Sequence, residues 1–249
     1  MNLDLDGRVA VVTGASRGLG RNAAESLVAE GARVLAVARA AAELEKLRSS
    51  APGSIETAVV NMRDADAVAG LADRAVRRFG RIDIVVNNAG VAPAGRFAEQ
   101  PQEEWDEVFA VNVRATAVLS RAAGKHFLAQ GSGKIINVAS TSGIKGKPTL
   151  VSYSASKGAV LQFTKALAGE WGRFGIQVNA IAPGAFATDA QAAVLNSPQI
   201  LERRLRKIPV GRMGRTDEFG PLVCYLASPL SDFMTGSVIV FDGGEVSKL

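Results

Sequence analysis

Short apolar runs rich in β-branched residues recur along this chain, and stretches with helical spacing of apolar residues separate them. The runs are RVAVVT (8–13), ARVLAVA (32–38), IETAVVN (55–61), IDIVVN (82–87), KIINVA (134–139), QVNAIA (177–182) and SVIVF (237–241). Strands that are apolar throughout and alternate with helices form a parallel sheet whose two faces are both covered. The pattern therefore predicts a doubly wound α/β fold with a seven-stranded parallel sheet.

The length and the overall charge limit the domain count and the kind of partner. With 249 residues, of which 47% are hydrophobic, residues 1–249 are predicted to form a single domain. The net charge of +5 is spread along the chain, which argues against a nucleic-acid partner. No apolar run approaches the roughly 18 to 20 residues of a membrane span, and the acidic start MNLDLD is unlike a signal peptide. We therefore expect a cytoplasmic protein with no membrane partner.

The chain has one cysteine and one histidine. Cys224 cannot form an intramolecular disulfide, and together with His126 it supplies too few soft ligands for a zinc site. No metal site is predicted. His126 falls in a mainly apolar helical segment, so we expect it to be a structural or surface residue.

Three of the helical stretches carry further signals. In 65–79, Asp64 is placed to cap the first turn and Gly80 to end the last one. One buried stripe is predicted for this helix, made of Val68, Leu71, Ala72, Ala75, Val76 and Phe79. The stretches 108–128 and 153–174 instead carry apolar residues on more than one face. Two explanations stay open for them, a subunit interface and additional packing on the sheet.

The first predicted strand runs into a glycine-rich loop, TGASRGLG (13–20), which precedes a helical stretch. Between a strand and a helix, such a loop lets backbone N–H groups approach a phosphate at the positive end of the helix. The glycines are Gly14, Gly18 and Gly20, so the common G-x-G-x-x-G spacing is not matched literally. The loop indicates a dinucleotide-binding site, and a plain tight turn is the alternative.

The same loop also contains GASRG, which fits the G-x-S-x-G turn that carries the nucleophilic serine of α/β-hydrolases. That chemistry requires a histidine late in the chain and an oxyanion loop before the serine. His126 lies mid-chain, and almost nothing precedes Ser16. The hydrolase interpretation is therefore disfavoured.

The end of the second strand predicts which dinucleotide binds. An acidic residue about 20 positions after the loop binds the ribose 2′-hydroxyl of NAD, whereas an arginine accommodates a 2′-phosphate. Here the strand ends with Ala38 and Arg39, and Arg17 supplies a second cation from the glycine loop. We therefore expect NADP(H), with NAD(H) as the less favoured coenzyme.

The segment YSASK (153–157) places a tyrosine one helical turn before a lysine, so that both side chains lie on one face. A free phenol has a pKa of about 10, and a nearby ammonium together with a cationic nicotinamide ring favours its ionised form. Lys157 is therefore expected to tune Tyr153 for proton transfer. SASK also matches the S-x-x-K of penicillin-binding serine enzymes, but their companion S-D-N and K-T-G motifs are absent.

Taken together, these motifs resemble the short-chain dehydrogenase/reductase family over residues 7–244. They stand in the order that this family has: TGASRGLG, NNAG (87–90), Asn112 in NVRA, Ser140 in NVASTSG, YSASK, PGAFAT (183–188) and DGG (242–244). The resemblance implies a Rossmann fold and hydride transfer between a nicotinamide coenzyme and a ketone or secondary alcohol. It also implies a homotetramer, which is consistent with the two strongly apolar helices.

The family pattern implies a role for four residues of this sequence. Tyr153 would be the general acid/base, and Lys157 its electrostatic partner and a ligand of the ribose hydroxyls. Ser140 would hold the substrate oxygen. Asn112 would anchor a water that links Lys157 to solvent.

The same resemblance implies a set of coenzyme-binding residues. They are Gly14, Ser16, Arg17, Gly18, Leu19, Gly20, Arg39, Asn61, Met62, Asn88, Ala89, Gly90, Tyr153, Lys157, Pro183, Gly184, Phe186 and Thr188. Many relatives have an aspartate where this chain has Asn61, and an amide oxygen can accept the same hydrogen bond from the adenine amine.

Residues 185–215 are expected to form a lid over a small-molecule carbonyl or alcohol substrate. Arg203, Arg204, Arg206 and Lys207 make this segment basic, which fits an anionic substrate, an acidic carrier protein or a solvated helix face. The sequence of the lid resembles that of gluconate 5-dehydrogenases and deoxygluconate dehydrogenases. The whole motif set also resembles that of 3-oxoacyl-carrier-protein reductases. A sugar acid and a 3-oxoacyl thioester are therefore the substrate alternatives. A silent dinucleotide-binding sensor or scaffold of the same fold is the alternative to an enzyme.

Overall fold

A computed structural model describes residues 2–247 and places seven strands in one sheet. The strands are β1 (Val9–Thr13), β2 (Arg33–Ala38), β3 (Ile55–Val59), β4 (Ile84–Asn87), β5 (Gly133–Val138), β6 (Ile176–Pro183) and β7 (Val238–Phe241). Their order is β3-β2-β1-β4-β5-β6-β7, and every neighbouring pair is parallel. The predicted seven-stranded parallel sheet is confirmed, and each strand lies within two residues of its predicted run.

Helices connect the strands within residues 2–247. The α-helices are α1 (Gly18–Ala29), α2 (Ala41–Ser50), α3 (Ala65–Phe79), α4 (Gln102–Phe109), α5 (Ala115–Gln130), α6 (Ser142–Lys145), α7 (Val151–Trp171), α8 (Ala192–Leu195), α9 (Pro198–Leu205) and α10 (Phe219–Ala227). Short 3₁₀ turns occupy Phe97–Glu99, Gly172–Phe174, Asp189–Gln191, Thr216–Glu218 and Pro229–Ser231.

The two faces of the sheet are both covered, as the apolar strands require. Leu27 of α1, Leu44 of α2 and Phe219 of α10 lie in the hydrophobic cluster on one face. Leu71 of α3 and Phe127 of α5 lie in the cluster on the other face, where α7 also packs. The doubly wound arrangement follows from this division of the helices.

Helix α3 begins and ends as its sequence predicts. The Asp64 carboxylate accepts a hydrogen bond from the N–H of Ala67 at 3.0 Å, which satisfies a donor that the first turn leaves open. Gly80 follows the last turn with a φ of 86°, a left-handed conformation that favours glycine. The predicted stripe faces the sheet, with Val76 only partly buried.

The predicted helix at 108–128 differs from the observed one in extent and in geometry. Helical structure begins at Gln102, and a π-helical turn, Ala110–Arg114, joins α4 to α5. A π-turn inserts one extra residue into an otherwise continuous helix. The spacing of apolar residues does not show this insertion, because the apolar stripe continues on the next turn. The π-turn contains Asn112, a residue predicted to belong to the active site.

The apolar residues of α5 and α7 divide between the sheet and the surface. Leu119 and Trp171 are buried, and Val118 and Leu167 pack against the same core. Leu128 is 44% exposed and Phe163 is partly exposed. Packing on the sheet therefore accounts for part of the pattern.

Among residues 2–247, no helix combines the length and the apolar character that crossing a membrane requires. No group of three histidine, cysteine, aspartate or glutamate side chains in that range is placed to hold a metal ion. His126 lies partly exposed on α5, where its Nε2 contacts Oδ1 of Asp73 at 2.8 Å.

Candidate active site

The predicted site residues follow the carboxyl ends of the parallel strands. β1 lies between β2 and β4, so the chain leaves the sheet in opposite directions on the two sides of β1. In doubly wound sheets, ligands bind in the crevice outside the strand ends at such a reversal. The loops after β1, β4, β5 and β6 therefore form the candidate active site.

The glycine loop is closely packed against the loop that follows β4. A Cβ atom on Gly14 would lie 2.7 Å from Nδ2 of Asn88, which is too close for any side chain other than hydrogen. Gly18 has a φ of 57° and begins α1, and a Cβ there would lie 3.5 Å from the methyl group of Thr188. Gly20 is buried in the first turn of α1, facing Asn88.

Thr13 fixes these two loops to each other, a role that the sequence analysis missed. Its Oγ1 accepts hydrogen bonds from the N–H groups of Asn88 and Ala89, each at 3.0 Å. In return, Nδ2 of Asn88 donates to the carbonyl oxygens of Thr13 and Gly14, at 2.9 and 3.2 Å. A threonine directly before the first glycine is the only sequence signal for this contact.

The other glycine-loop residues differ in exposure. Arg17 is exposed, Ser16 is half-buried, and Leu19 packs against the core cluster on its face of the sheet. Arg39 is exposed directly after β2, the strand that pairs with β1. Both predicted arginines therefore follow adjacent strands at the same edge of the sheet.

The residues after β3 divide into one exposed and one buried side chain. Asn61 is exposed, and its Oδ1 accepts a hydrogen bond from the N–H of Arg63 at 3.1 Å. That turn occupies one lone pair of the amide oxygen and leaves a second one for a ligand. Met62 is 8% exposed and packs into the core, so its side chain serves the interior.

Asn112 is 1% exposed and ties three elements together. Its Oδ1 accepts from the N–H of Val91 at 2.9 Å, and its Nδ2 donates to the carbonyl oxygen of Val91 at 3.0 Å. The same Nδ2 donates to Oγ of Ser156 on α7 at 2.9 Å. A Cβ on Gly90 would lie 3.3 Å from Oδ1 of Asn112 and 3.5 Å from Nζ of Lys157. Asn112 thus holds the end of the β4 loop against α7.

Ser140 and Tyr153 are joined by a hydrogen bond between their side chains. Oγ of Ser140 also accepts from the N–H of Ser142 at 3.1 Å, which fixes the serine rotamer. Burial raises the pKa of Tyr153, and the hydrogen bond from Ser140 partly opposes this. The phenol is therefore neutral around pH 7 in this structure.

Lys157 is 4% exposed, and its Nζ donates to the carbonyl oxygen of Val138 at 2.6 Å. Burial lowers its pKa to about 8. Nζ lies 5.7 Å from the centre of the Tyr153 ring. The one-face prediction is consistent with this contact, but the expected lowering of the tyrosine pKa is not present here. Burial of both groups outweighs the attraction between them.

The segment after β6 places Pro183, Gly184, Phe186 and Thr188 beside the β7 end. Gly184 donates its N–H to the carbonyl oxygen of Phe241 at 3.0 Å, and a Cβ there would clash with Asp242. The Phe186 ring is 5% exposed and meets the rings of Phe219 and Phe241 edge to face. The Phe186 ring therefore belongs to the core, and coenzyme binding by the backbone of this segment stays a prediction. Thr188 lies over Gly18.

The predicted lid contains α8 and α9 and packs around a small cluster of Ala185, Ile208 and Met213. Its arginines are not all directed to solvent. Arg204 turns inward, and its two terminal nitrogens donate to the carboxylate of Glu245 at 2.5 and 2.6 Å. Arg206 pairs with Glu202 on the outside of the helix.

Comparison with known proteins identifies relatives along the whole chain. The family model described as enoyl-(acyl carrier protein) reductase matches residues 14–245. The chain is 36% identical over 243 residues to gluconate 5-dehydrogenase of Gluconobacter oxydans, covering 96% of this chain and 95% of that protein. It is 35% identical over 245 residues to the 3-oxoacyl-[acyl-carrier-protein] reductase of Thermotoga maritima, covering 97% and 99%.

A solved structure has the same fold and the same extent. The gluconate 5-dehydrogenase from Burkholderia cenocepacia in complex with NADP and tartrate superposes with a TM-score of 0.93 at 32% identity. The match covers 100% of this chain and 98% of that one. This chain therefore belongs to the short-chain dehydrogenase/reductase family of oxidoreductases.

Proposed function

We propose that this chain transfers a hydride between NADP(H) and a ketone or secondary alcohol, with Tyr153 as the general acid/base. The observation that carries the proposal is the hydrogen-bonded pair of Ser140 and Tyr153 beside the buried Lys157 amine. Ser140 follows the end of β5, and Tyr153 and Lys157 lie in the first two turns of α7. A substrate in the crevice can reach all three. Two hydroxyl groups and an amine at one strand end suit the polarisation of a carbonyl oxygen.

The loops around Gly18 fit a dinucleotide. Helix α1 begins at this glycine, so the first N–H groups of the helix face the crevice and can bind a diphosphate. Gly18 has a left-handed φ, and a Cβ there would lie 3.5 Å from Thr188, so a side chain at this position would be strained and would occupy the space between the loop and Thr188. The backbone of Asn88, Ala89 and Gly90 forms the opposite wall.

Two exposed arginines support NADP over NAD. Arg17 and Arg39 follow β1 and β2, and no carboxylate stands at the end of β2 to accept from a ribose 2′-hydroxyl. A guanidinium binds a phosphate through two parallel hydrogen bonds. The relative from Burkholderia cenocepacia, crystallised with NADP, agrees with this choice.

In the reducing direction, bound NADPH supplies the hydride. The neutral Tyr153 phenol donates its proton to the carbonyl oxygen, and the raised pKa keeps that proton available at neutral pH. Ser140 donates a second hydrogen bond to the same oxygen, with its rotamer held by Ser142. Lys157 carries a positive charge below its pKa of about 8, and this charge stabilises the phenolate that remains.

Asn112 acts in this scheme by position. Its three hydrogen bonds hold Val91 against Ser156, and they keep Gly90 next to the Lys157 amine. A water bound beside Asn112 would then return a proton from solvent to Lys157. This water relay, the lid at 185–215, the single domain and the homotetramer stay predictions.

The test compares the two tyrosines of the sequence, Tyr153 and Tyr225. Tyr153→Phe removes only the phenolic oxygen, and the expected loss of kcat is about 10²- to 10⁴-fold, the range of general acid–base catalysis. NADPH affinity should change by less than about threefold. Tyr225→Phe is the control, because Tyr225 lies on α10 on the other face of the sheet.

A panel of oxo acids, sugar acids, diketones and acyl thioesters supplies the substrates for this test. If Tyr153→Phe keeps more than a tenth of the wild-type kcat, the acid/base role is wrong. If the wild-type chain binds NADPH tightly and reduces nothing on the panel, the sensor alternative replaces the enzyme.

A further inference from the structure

A second cavity of about 330 Å³ lies beside the loop that follows Ser140. This volume is within the roughly 300 to 1,000 Å³ that small-molecule sites occupy. It is lined by Thr141, Ser142, Lys145, Gly146, Lys147, Arg206, Lys207, Glu245 and Val246. The loop 141–147 forms one wall, and the end of the lid and the segment after β7 form the other.

The cavity is strongly cationic. Four of its lining side chains are basic and one, Glu245, is acidic. Arg204 already neutralises that acid through a two-fold ion pair in which both side chains are 14% exposed. Arg206 is paired with Glu202, so the excess positive charge of the lining comes mainly from Lys147 and Lys207.

Lys147 is the cation that most needs an anion. Its side chain is partly buried, and its ammonium forms no hydrogen bond or ion pair with any of the residues 2–247 that the structure describes. Burial lowers the pKa of Lys147, and the charges of Arg204 and Lys207 lower it further, against the opposing effect of Glu245. An ammonium in such surroundings gains free energy when a carboxylate binds beside it.

The cavity is connected to the proposed catalytic pair through short backbone links. The N–H of Lys147 donates to Oγ of Ser154, the residue after Tyr153, at 3.1 Å. The N–H of Ser142, which lines the cavity, donates to Oγ of Ser140 at 3.1 Å. These two hydrogen bonds attach the wall of the cavity to the segments that carry Ser140 and Tyr153.

We propose that Lys147, with Lys207 at the rim, binds the carboxylate of the substrate and so selects oxo acids and hydroxy acids over neutral carbonyl compounds and alcohols. The proposal rests on the proposed function and adds the substrate class to it. It favours a sugar acid over an acyl thioester, because a thioester is uncharged at the position that the lysine would bind. Lys207 is exposed and contributes less than Lys147.

The experiment uses two polyols with the same carbon skeleton. D-Gluconate carries a carboxylate at C1, and D-glucitol carries a hydroxymethyl group there. The binding of each to the protein saturated with NADP⁺ is measured by calorimetry, and kcat/KM is measured by NADPH formation. Both are repeated for Lys147→Gln, for Lys147→Arg, and for Lys46→Gln, a control on the exposed lysine of α2 that pairs with Glu43.

Wild-type protein should bind gluconate at least tenfold more tightly than glucitol, since hydrogen bonds to charged groups contribute about a factor of 10 to 100. Lys147→Gln should reduce that ratio by about the same factor, mainly through KM, and Lys147→Arg should restore most of it. Lys46→Gln should leave the ratio unchanged. A ratio near one in the wild type, or a ratio unaffected by Lys147→Gln, overturns the proposal.

The binding readout separates this proposal from the proposed function. If gluconate binds with the Lys147-dependent preference but is not oxidised, the anion site stands and the assigned activity fails. If both polyols are oxidised without preference, the activity stands and the anion site fails.

Discussion

The buried Lys157 amine leads to a prediction about stability and pH. Its pKa is lowered from 10.5 to about 8 because burial disfavours the ammonium. The unfolded chain keeps that proton up to a pH of about 10.5, whereas the folded chain releases it near pH 8. The unfolded state binds more protons between these values, so the free energy of unfolding rises with pH across this window.

The magnitude follows from the two pKa values. At about 1.36 kcal/mol per pH unit, the full difference is about 3 kcal/mol. Most of it, roughly 2 to 3 kcal/mol, should develop between pH 7 and pH 10. Lys157→Met removes the titrating group and keeps the length of the side chain, although it also loses the hydrogen bond to the carbonyl oxygen of Val138.

Urea unfolding of the wild type and of Lys157→Met at several pH values between 7 and 10 measures this effect. The difference in free energy of unfolding between the two proteins should shift by roughly 2 to 3 kcal/mol in favour of the wild type as the pH rises. Other groups titrate in this range too, but they contribute to both proteins and cancel in the difference. The exposed-lysine variant Lys46→Met should show no such shift. A difference in free energy of unfolding that stays constant within about 0.5 kcal/mol across this pH range would refute the lowered pKa of Lys157.

Two further predictions concern the coenzyme and the backbone. Arg39→Asp should lower kcat/KM for NADPH and raise it for NADH, because a carboxylate repels the 2′-phosphate and accepts a hydrogen bond from the 2′-hydroxyl. Steady-state kinetics with each coenzyme measures this change. An unchanged coenzyme preference would contradict the NADP assignment. Arg39 is exposed, which makes it a cleaner position than the buried Ala38. Thr149 has a φ of 65°, unfavourable for a β-branched residue, so Thr149→Gly should raise stability by about 0.5 to 1 kcal/mol after the entropy cost of glycine. Thr57→Gly in β3 should lower stability instead, and a lower melting temperature for Thr149→Gly would contradict the strain.

The parts of the fold that depend on neighbours in sequence were predictable. The strands follow from apolar runs that must be covered on both faces, and α3 follows from its stripe, Asp64 and Gly80. The ends of the strands were placed to within two residues for the same reason. The order of the site motifs also allowed the family to be identified before any geometry was known.

Contacts between distant residues were not predictable in the same way. The sequence predicts both solvent and a ligand as surroundings for Arg204, whereas the structure pairs it with Glu245, 41 positions away. The sequence likewise does not show that the Phe186 ring packs edge to face against Phe219 and Phe241. Spacing gives the distance from Tyr153 to a lysine but does not show how far both groups are removed from water, and this burial raises the pKa of Tyr153.

A buried polar network explains how the site keeps its geometry although most of its residues lie at strand ends and in first turns. Nδ2 of Asn87 on β4 donates to Oγ of Ser120 on α5 at 3.1 Å and to Oδ1 of Asn137 on β5 at 2.8 Å. Nδ2 of Asn137 donates to Oγ1 of Thr164 on α7 at 2.9 Å. All four side chains are at most 5% exposed.

One of these bonds joins β4 to β5, and the other two join these strands to α5 and α7. Thr164 lies two helical turns after Lys157 on α7, and Ser120 lies two turns after Asn112 along the continuous helix. Apolar contacts in this position would allow the helices to slide along the sheet, since such contacts have no preferred direction. Hydrogen bonds prevent this sliding because their donor–acceptor distances are fixed, and burial makes them costly to break. The network therefore fixes the positions of α5 and α7 along β4 and β5. This holds Asn112, Tyr153 and Lys157 at the level of Ser140.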